Sequence, residues 1–106
     1  MTKQPADQEA ARELALFAIN DGALYHDRSS AAILNLARKR ERGTYDHDRS
    51  VKLWRYVADE AARLYTKAHD SSDAGTFGIF TPATRDMTAV ELRDHYYEQV
   101  AEAGEG

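Results

Sequence analysis

Apolar residues recur at three- and four-residue spacing through most of the chain, the pattern of helices that each bury one stripe. The clearest stripe is Val51, Trp54, Val57, Ala58, Ala61, Leu64, Tyr65 and Ala68. It predicts a third helix from Asp46 or Asp48 to His69, with Trp54 anchoring the core. Leu14, Phe17 and Ala18, flanked by Ala10, Ala11 and Ala15, predict a first helix from Pro5 or Asp7 to Asn20. Asn20-Asp21-Gly22 stops it, because glycine takes the left-handed conformation at no steric cost. Leu24 and Tyr25 then drop a short turn onto the core. Ile33, Leu34, Leu36 and Ala37 predict a second helix, capped by Asp27 or Ser29 and ending at Arg42, with Gly43 as its exit.

Residues 70–80 are rich in helix breakers yet carry Phe77, Ile79 and Phe80, so they read as a loop tucked against the helices. The last helix opens either at Thr81-Pro82, a cap followed by proline at the first helical position, or at the capping box Thr88 to Glu91. It continues through Leu92, Tyr96 and Val100 to about Ala103. Tyr96 and Tyr97 are adjacent, so both cannot face one narrow core, and one ring is expected at the surface. The expected fold is therefore all-α: a compact bundle of about four helices, with one long loop between the third and fourth. A chain of 106 residues suits a single domain, 1–106, fraying at about 1–5 and 104–106.

Composition narrows the chemistry more than it alters this outline. There is no cysteine, which removes disulfides, thiolate metal sites and cysteine nucleophiles together. No stretch reads as a signal peptide or a membrane span, so the expected location is the cytoplasm, with no membrane partner. The net charge of −4 is unevenly spread. Arg38, Lys39, Arg40, Arg42, Arg49, Lys52 and Arg55 crowd the window 38–55 against only Glu41, Asp46 and Asp48, while both ends of the chain are acidic.

That basic window, with Tyr45, Trp54 and Tyr56 nearby, is the candidate binding surface: cations neutralise phosphates and aromatic rings stack on bases. Its simpler explanation is electrostatic, since cations in the last turn of a helix complement the helix dipole by a few tenths to ~1 kcal/mol each. Tyr97 joins the candidate set as the tyrosine left for an interface. All four histidines adjoin an aspartate, in His26-Asp27, Asp46-His47-Asp48, His69-Asp70 and Asp94-His95. Neighbouring helical side chains point ~100° apart, and no two histidines lie one turn apart, so no metal site or cofactor is expected.

Arg63-Leu64-Tyr65-Thr66-Lys67-Ala68-His69 resembles the arginine-to-histidine motif of small helical RNA-cleaving domains of the HEPN type. The resemblance implies Arg63 holding phosphate and His69 in acid–base chemistry. It departs at Leu64, where that family commonly has a polar residue and this chain has part of its core stripe.

A second resemblance covers most of the chain. Asn35-Leu36-Ala37-Arg38-Lys39-Arg40, Gly43-Thr44-Tyr45-Asp46, Val51-Lys52-Leu53-Trp54 and Thr84-Arg85 look like a family of small bacteriophage-encoded proteins with a glycine-x-tyrosine-aspartate turn between two helices. It implies a viral accessory protein of the host bacterial cytoplasm and transfers no catalytic residue. With no convincing catalytic signature, the leading expectation is an accessory protein that binds another protein, a host factor among the options. A nucleic-acid-binding module using window 38–55 and a metal-independent ribonuclease using Arg63 and His69 are the alternatives. A homodimer is a further expectation, because a short chain with spare aromatics can bury them in a symmetric partner.

Overall fold

The computed structural model describes residues 5–77 and 80–105, with side chains described at 8–67 and 80–103. It is an all-α bundle. Helix α1 is Pro5–Asn20, α3 is Val51–Phe77 and α4 is Pro82–Glu105. Between α1 and α3 lies α2 (22–41), made of a first turn Gly22–Leu24, a π-helical stretch Tyr25–Ser29 and an α-helix Ser30–Glu41. Among the described residues there is no strand. Helix α4 packs on α1, α2 and α3 in turn, and so forms the common wall of the bundle.

The core follows the expected stripes except at Leu34, which is 53% exposed because Ile33, Leu36 and Ala37 already fill the buried face of α2. Leu14, Leu24, Leu36, Trp54, Leu92, Tyr96 and Val100 are all at most 2% exposed. Trp54 stacks on Tyr96 with ring centroids 5.2 Å apart and planes 12° from parallel, joining α3 to α4. Burial pushes the Tyr96 phenol above its ordinary pKa, with Tyr25 beside it adding to the shift and Ser29 opposing it. Tyr65 receives Phe17 and Phe80 edge-on, at 5.3 Å and 5.2 Å, which ties α1 and the start of α4 to α3.

Two boundaries differ from the sequence expectations, each for a local reason, and the last helix takes the earlier of its two expected starts. Helix α2 begins at Gly22, not at Asp27 or Ser29, because the Asp21 carboxylate accepts the Leu24 N–H at 2.9 Å and caps the chain there. Leu24 and Ser29 are both buried although five residues apart. The π turn, with its five-residue hydrogen bond from Ser30 N–H to the Tyr25 carbonyl, brings both to the inner face; a regular α turn would turn Arg28 inward.

Helix α3 runs to Phe77, eight residues past His69, through most of the stretch expected to be a long loop. Once a helix is nucleated and packed, each added residue gains a hydrogen bond, and Gly75 costs only ~1 kcal/mol against alanine. The stretch contains no proline to end it. The expected tucking of Phe77 and Ile79 lies outside the described residues, whereas Phe80 is buried as expected.

Helix α4 opens at Thr81-Pro82, with Thr81 Oγ1 accepting the Thr84 N–H at 3.1 Å. The capping box at Thr88 is not used. Thr88 is fully buried in mid-helix and donates to the Thr84 and Ala11 carbonyls at 2.9 Å and 3.2 Å, riveting α4 to α1.

Candidate functional site

The corner between α2 and α3 is built by two local motifs. Gly43 adopts φ 74°, and the N–H groups of Gly43 and Thr44 donate to the Arg40 and Lys39 carbonyls at 3.1 Å and 2.8 Å. This pair of bonds is a Schellman closure, and glycine supplies the left-handed residue it needs. Three residues later Asp46 accepts the Arg49 N–H on its side chain, at 3.0 Å, and the Ser50 N–H on its carbonyl, at 2.9 Å. Ser50 is buried and donates to the His47 carbonyl at 2.6 Å. The chain is thereby turned so that α3 starts with Trp54 facing the core and Lys52 facing out.

These motifs enclose a groove of about 400 Å³. Lys39 comes from the end of α2, Arg49 from the turn, and Lys52 and Tyr56 from successive turns of α3. Leu36 and Leu53 give it apolar lining, and Thr44, Asp46 and Ser50 give it polar lining. Lys39, Arg49 and Lys52 form no ion pair among the described residues. Tyr56 is 73% exposed, the most exposed large hydrophobic side chain described.

The remaining basic candidates are sorted differently. Arg38 and Arg42 are exposed and likewise form no ion pair among the described residues. Arg40 lies between the rings of Tyr45 and Tyr97, 5.7 Å and 5.8 Å from their centroids, and donates to the Tyr97 hydroxyl at 3.3 Å. Tyr97 is therefore the exposed member of its pair, as expected, but it serves as half of an arginine clamp that holds the corner to α4. Arg55 points away from the groove charges: it donates to Asp59 at 3.1 Å and also to Asp86. Arg85 shares Asp59 at 3.4 Å and donates to the Phe80 carbonyl.

Two of the histidine–aspartate doublets meet, at His47 and Asp94, and the side chains of His69 and Asp70 lie outside the described residues. His47 bonds the Tyr45 hydroxyl through Nδ1 at 2.9 Å and has Nε2 3.7 Å from Asp94, on a different doublet. His95 packs edge-on to the Tyr96 ring, and His26 is exposed on the π turn. No group of three or more metal-binding side chains forms among the described residues.

Arg63 donates to both Glu60 oxygens, at 3.2 Å and 2.6 Å. That bond holds the Glu60 carboxyl below its usual pKa and raises the pKa of Arg63. The side chain of His69 lies outside the described residues. Because α3 is continuous through both, positions 63 and 69 stand about 120° apart around the axis and about 9 Å along it.

Sequence reasoning names three of the groove-lining residues, Lys39, Arg49 and Lys52, as candidate binders, omits Thr44 from any chemical role, and gives Tyr56 only as an aromatic near the window. The available signal was spacing. Tyr56 falls one turn after Lys52 and off the apolar stripe, which puts both on the outer face. No protein-family model matches the chain, and neither a curated protein nor a solved structure matches it.

Proposed function

We propose that this protein is a binding module without catalysis of its own, and that the α2–α3 groove takes the phosphate backbone of a nucleic acid. The observation that carries this reading is that Lys39, Arg49 and Lys52 converge on one groove with only Asp46 as a lining acid. Elsewhere on the molecule Arg55, Arg63, Arg85 and Arg93 each sit within ion-pair distance of a carboxylate, whereas the three cations of the groove are brought together without one among the described residues. The acidic residues that make the whole chain −4 repel a polyanion from the rest of the surface and orient it toward this corner.

The test is binding of labelled oligonucleotides by fluorescence anisotropy over a salt series. With about three phosphates neutralised on a single strand, log K should fall against log salt with a slope of about −2. Reversing Lys39, Arg49 and Lys52 together to glutamate should cost on the order of a hundredfold in affinity. Binding that ignores salt, or survives the triple reversal, removes the proposal.

A protein partner is the second reading, favoured by Leu16 and Leu34, which are 49% and 53% exposed on α1 and α2. Capture of a host protein that is lost in Leu16→Asp and Leu34→Asp but survives the triple reversal of the groove cations would select it. The resemblance to bacteriophage-encoded proteins would suit either reading, and both are compatible with the absence, among the described residues, of any helix long and apolar enough to cross a membrane.

A further inference from the structure

A second groove, of about 620 Å³, lies farther along α3 and is lined by Arg28, Asp59, Glu60, Arg63 and Arg85 among others. Tyr56 lines both grooves, and is the only described side chain that does so in these two. Lys52, Tyr56 and Arg63 recur at four- and seven-residue spacing, so they share one face of α3 over about 16 Å. The track therefore has an unpaired basic half, an exposed aromatic ridge, and a second half whose three arginines stand against two carboxylates.

The ridge decides which nucleic acid suits the track. A phenol that is 73% exposed, with cations on either side, presents a free ring face on which a base can stack. In a duplex those faces are already stacked inside the helix, and protein reads groove edges and phosphates instead. In a single strand the bases are free to splay out and stack on an aromatic side chain while the backbone follows the cations. The track also lacks what a duplex reader uses, a projecting helix with a run of base-contacting side chains: Arg55 is bound to Asp59 and Asp86, and Arg63 to Glu60.

Resting on the nucleic-acid reading above, we propose that the ligand is single-stranded and that Tyr56 stacks on one of its bases, with the adjoining phosphates on Lys39, Arg49 and Lys52. Tyr56 is the position where this preference is encoded. Its ring is outside the core, so its replacement leaves the bundle intact, which circular dichroism and thermal melting verify for each variant.

The experiment measures anisotropy of labelled oligothymidylate, oligouridylate and a mixed-sequence duplex against the wild type, Tyr56→Ala, Tyr56→Phe and the triple Lys39→Glu, Arg49→Glu, Lys52→Glu. Tyr56→Ala should weaken single-strand binding by roughly 5- to 150-fold, the range typical of losing one base–aromatic stack. Tyr56→Phe should retain wild-type affinity, and weaker duplex binding should be unaffected by either change. Ultraviolet irradiation of the oligothymidylate complex should attach the strand to the peptide containing Tyr56. If the triple variant loses binding but Tyr56→Ala does not, the stacking inference is overturned while the groove stands. Duplex bound as tightly as single strand overturns it as well. If no oligonucleotide binds in a salt-dependent way, the underlying reading fails first.

Discussion

The two ends of one helix face use the same kind of residue in opposite ways. At the start of α3, Arg49 and Lys52, with Lys39 across the groove, stand without a carboxylate partner among the described residues. One to three turns further on, Arg55 and Arg85 share Asp59, and Arg63 grips Glu60. The first set leaves a field that a ligand must complete, whereas the second has completed itself. A run of basic residues in sequence is thus not one surface: Arg55 closes the basic window by number and belongs to the neutral region by contact.

Both regions hang on the same support, and removing it should give the largest effect. Trp54→Ala deletes the ring stacked on Tyr96 beneath the face that carries Lys52 and Arg55. Large-to-small changes of this kind cost about 3–5 kcal/mol, because the cavity collapses only partly. Urea denaturation should show that loss, and oligonucleotide binding should fall with it as the groove loses its shape. A loss below about 1 kcal/mol would mean that the stack does not hold the two regions in place.

That support was the most legible part of the molecule, and the groove was the least. The stripe from Val51 to Ala68 repeats often enough to specify a helix and its buried face, and Trp54 sits where the period puts it. What periodicity cannot convey is competition between local and tertiary terms. Asp21 and Asp27 look alike as caps, and the choice falls to Asp21 because Leu24 and Ser29 must both reach the core. Thr88 with Glu91 has the form of a capping box, yet Thr81-Pro82 lies earlier and the helix runs straight through. The breakers between 70 and 77 are individually too weak to stop a helix already anchored by five turns of packing. For the groove, the type of charge was readable from sequence and its pairing was not. Asp59 and Asp86 are four and 31 residues from Arg55, and only folding brings the second of them within reach.

Pairing can be undone on purpose, which tests whether it is what separates the two regions. Asp59→Asn removes the carboxylate shared by Arg55 and Arg85 while keeping its shape. Because this group is 41% exposed, solvent screens it, and the stability cost should be small, about 0.5 kcal/mol. The informative change is in binding: Arg55 keeps Asp86, but Arg85 is released at the second groove, so affinity for single strands should rise slightly and the salt slope should steepen. Unchanged affinity together with an unchanged slope would show that pairing does not limit the second half of the track.

The smallest effect is expected at Arg63, and it bears on the ribonuclease alternative. Arg63 is 61% exposed and its hydrogen bond is what lowers the Glu60 pKa. A depressed carboxylate pKa contributes stability that is present above the group's ordinary pKa and is lost as pH falls through the lowered value. Arg63→Gln should therefore return the Glu60 carboxyl to the ordinary range, read by carbon-detected NMR titration, and should lower melting slightly near neutral pH, with the difference from wild type vanishing as pH falls through the lowered Glu60 value. A guanidinium held by Glu60 serves the surface of α3, so the same variant should leave oligouridylate uncut just as the wild type does. Cleavage by the wild type that disappears in Arg63→Gln and in His69→Ala, with the fold retained, would transfer Arg63 from the self-neutralised region to a working site.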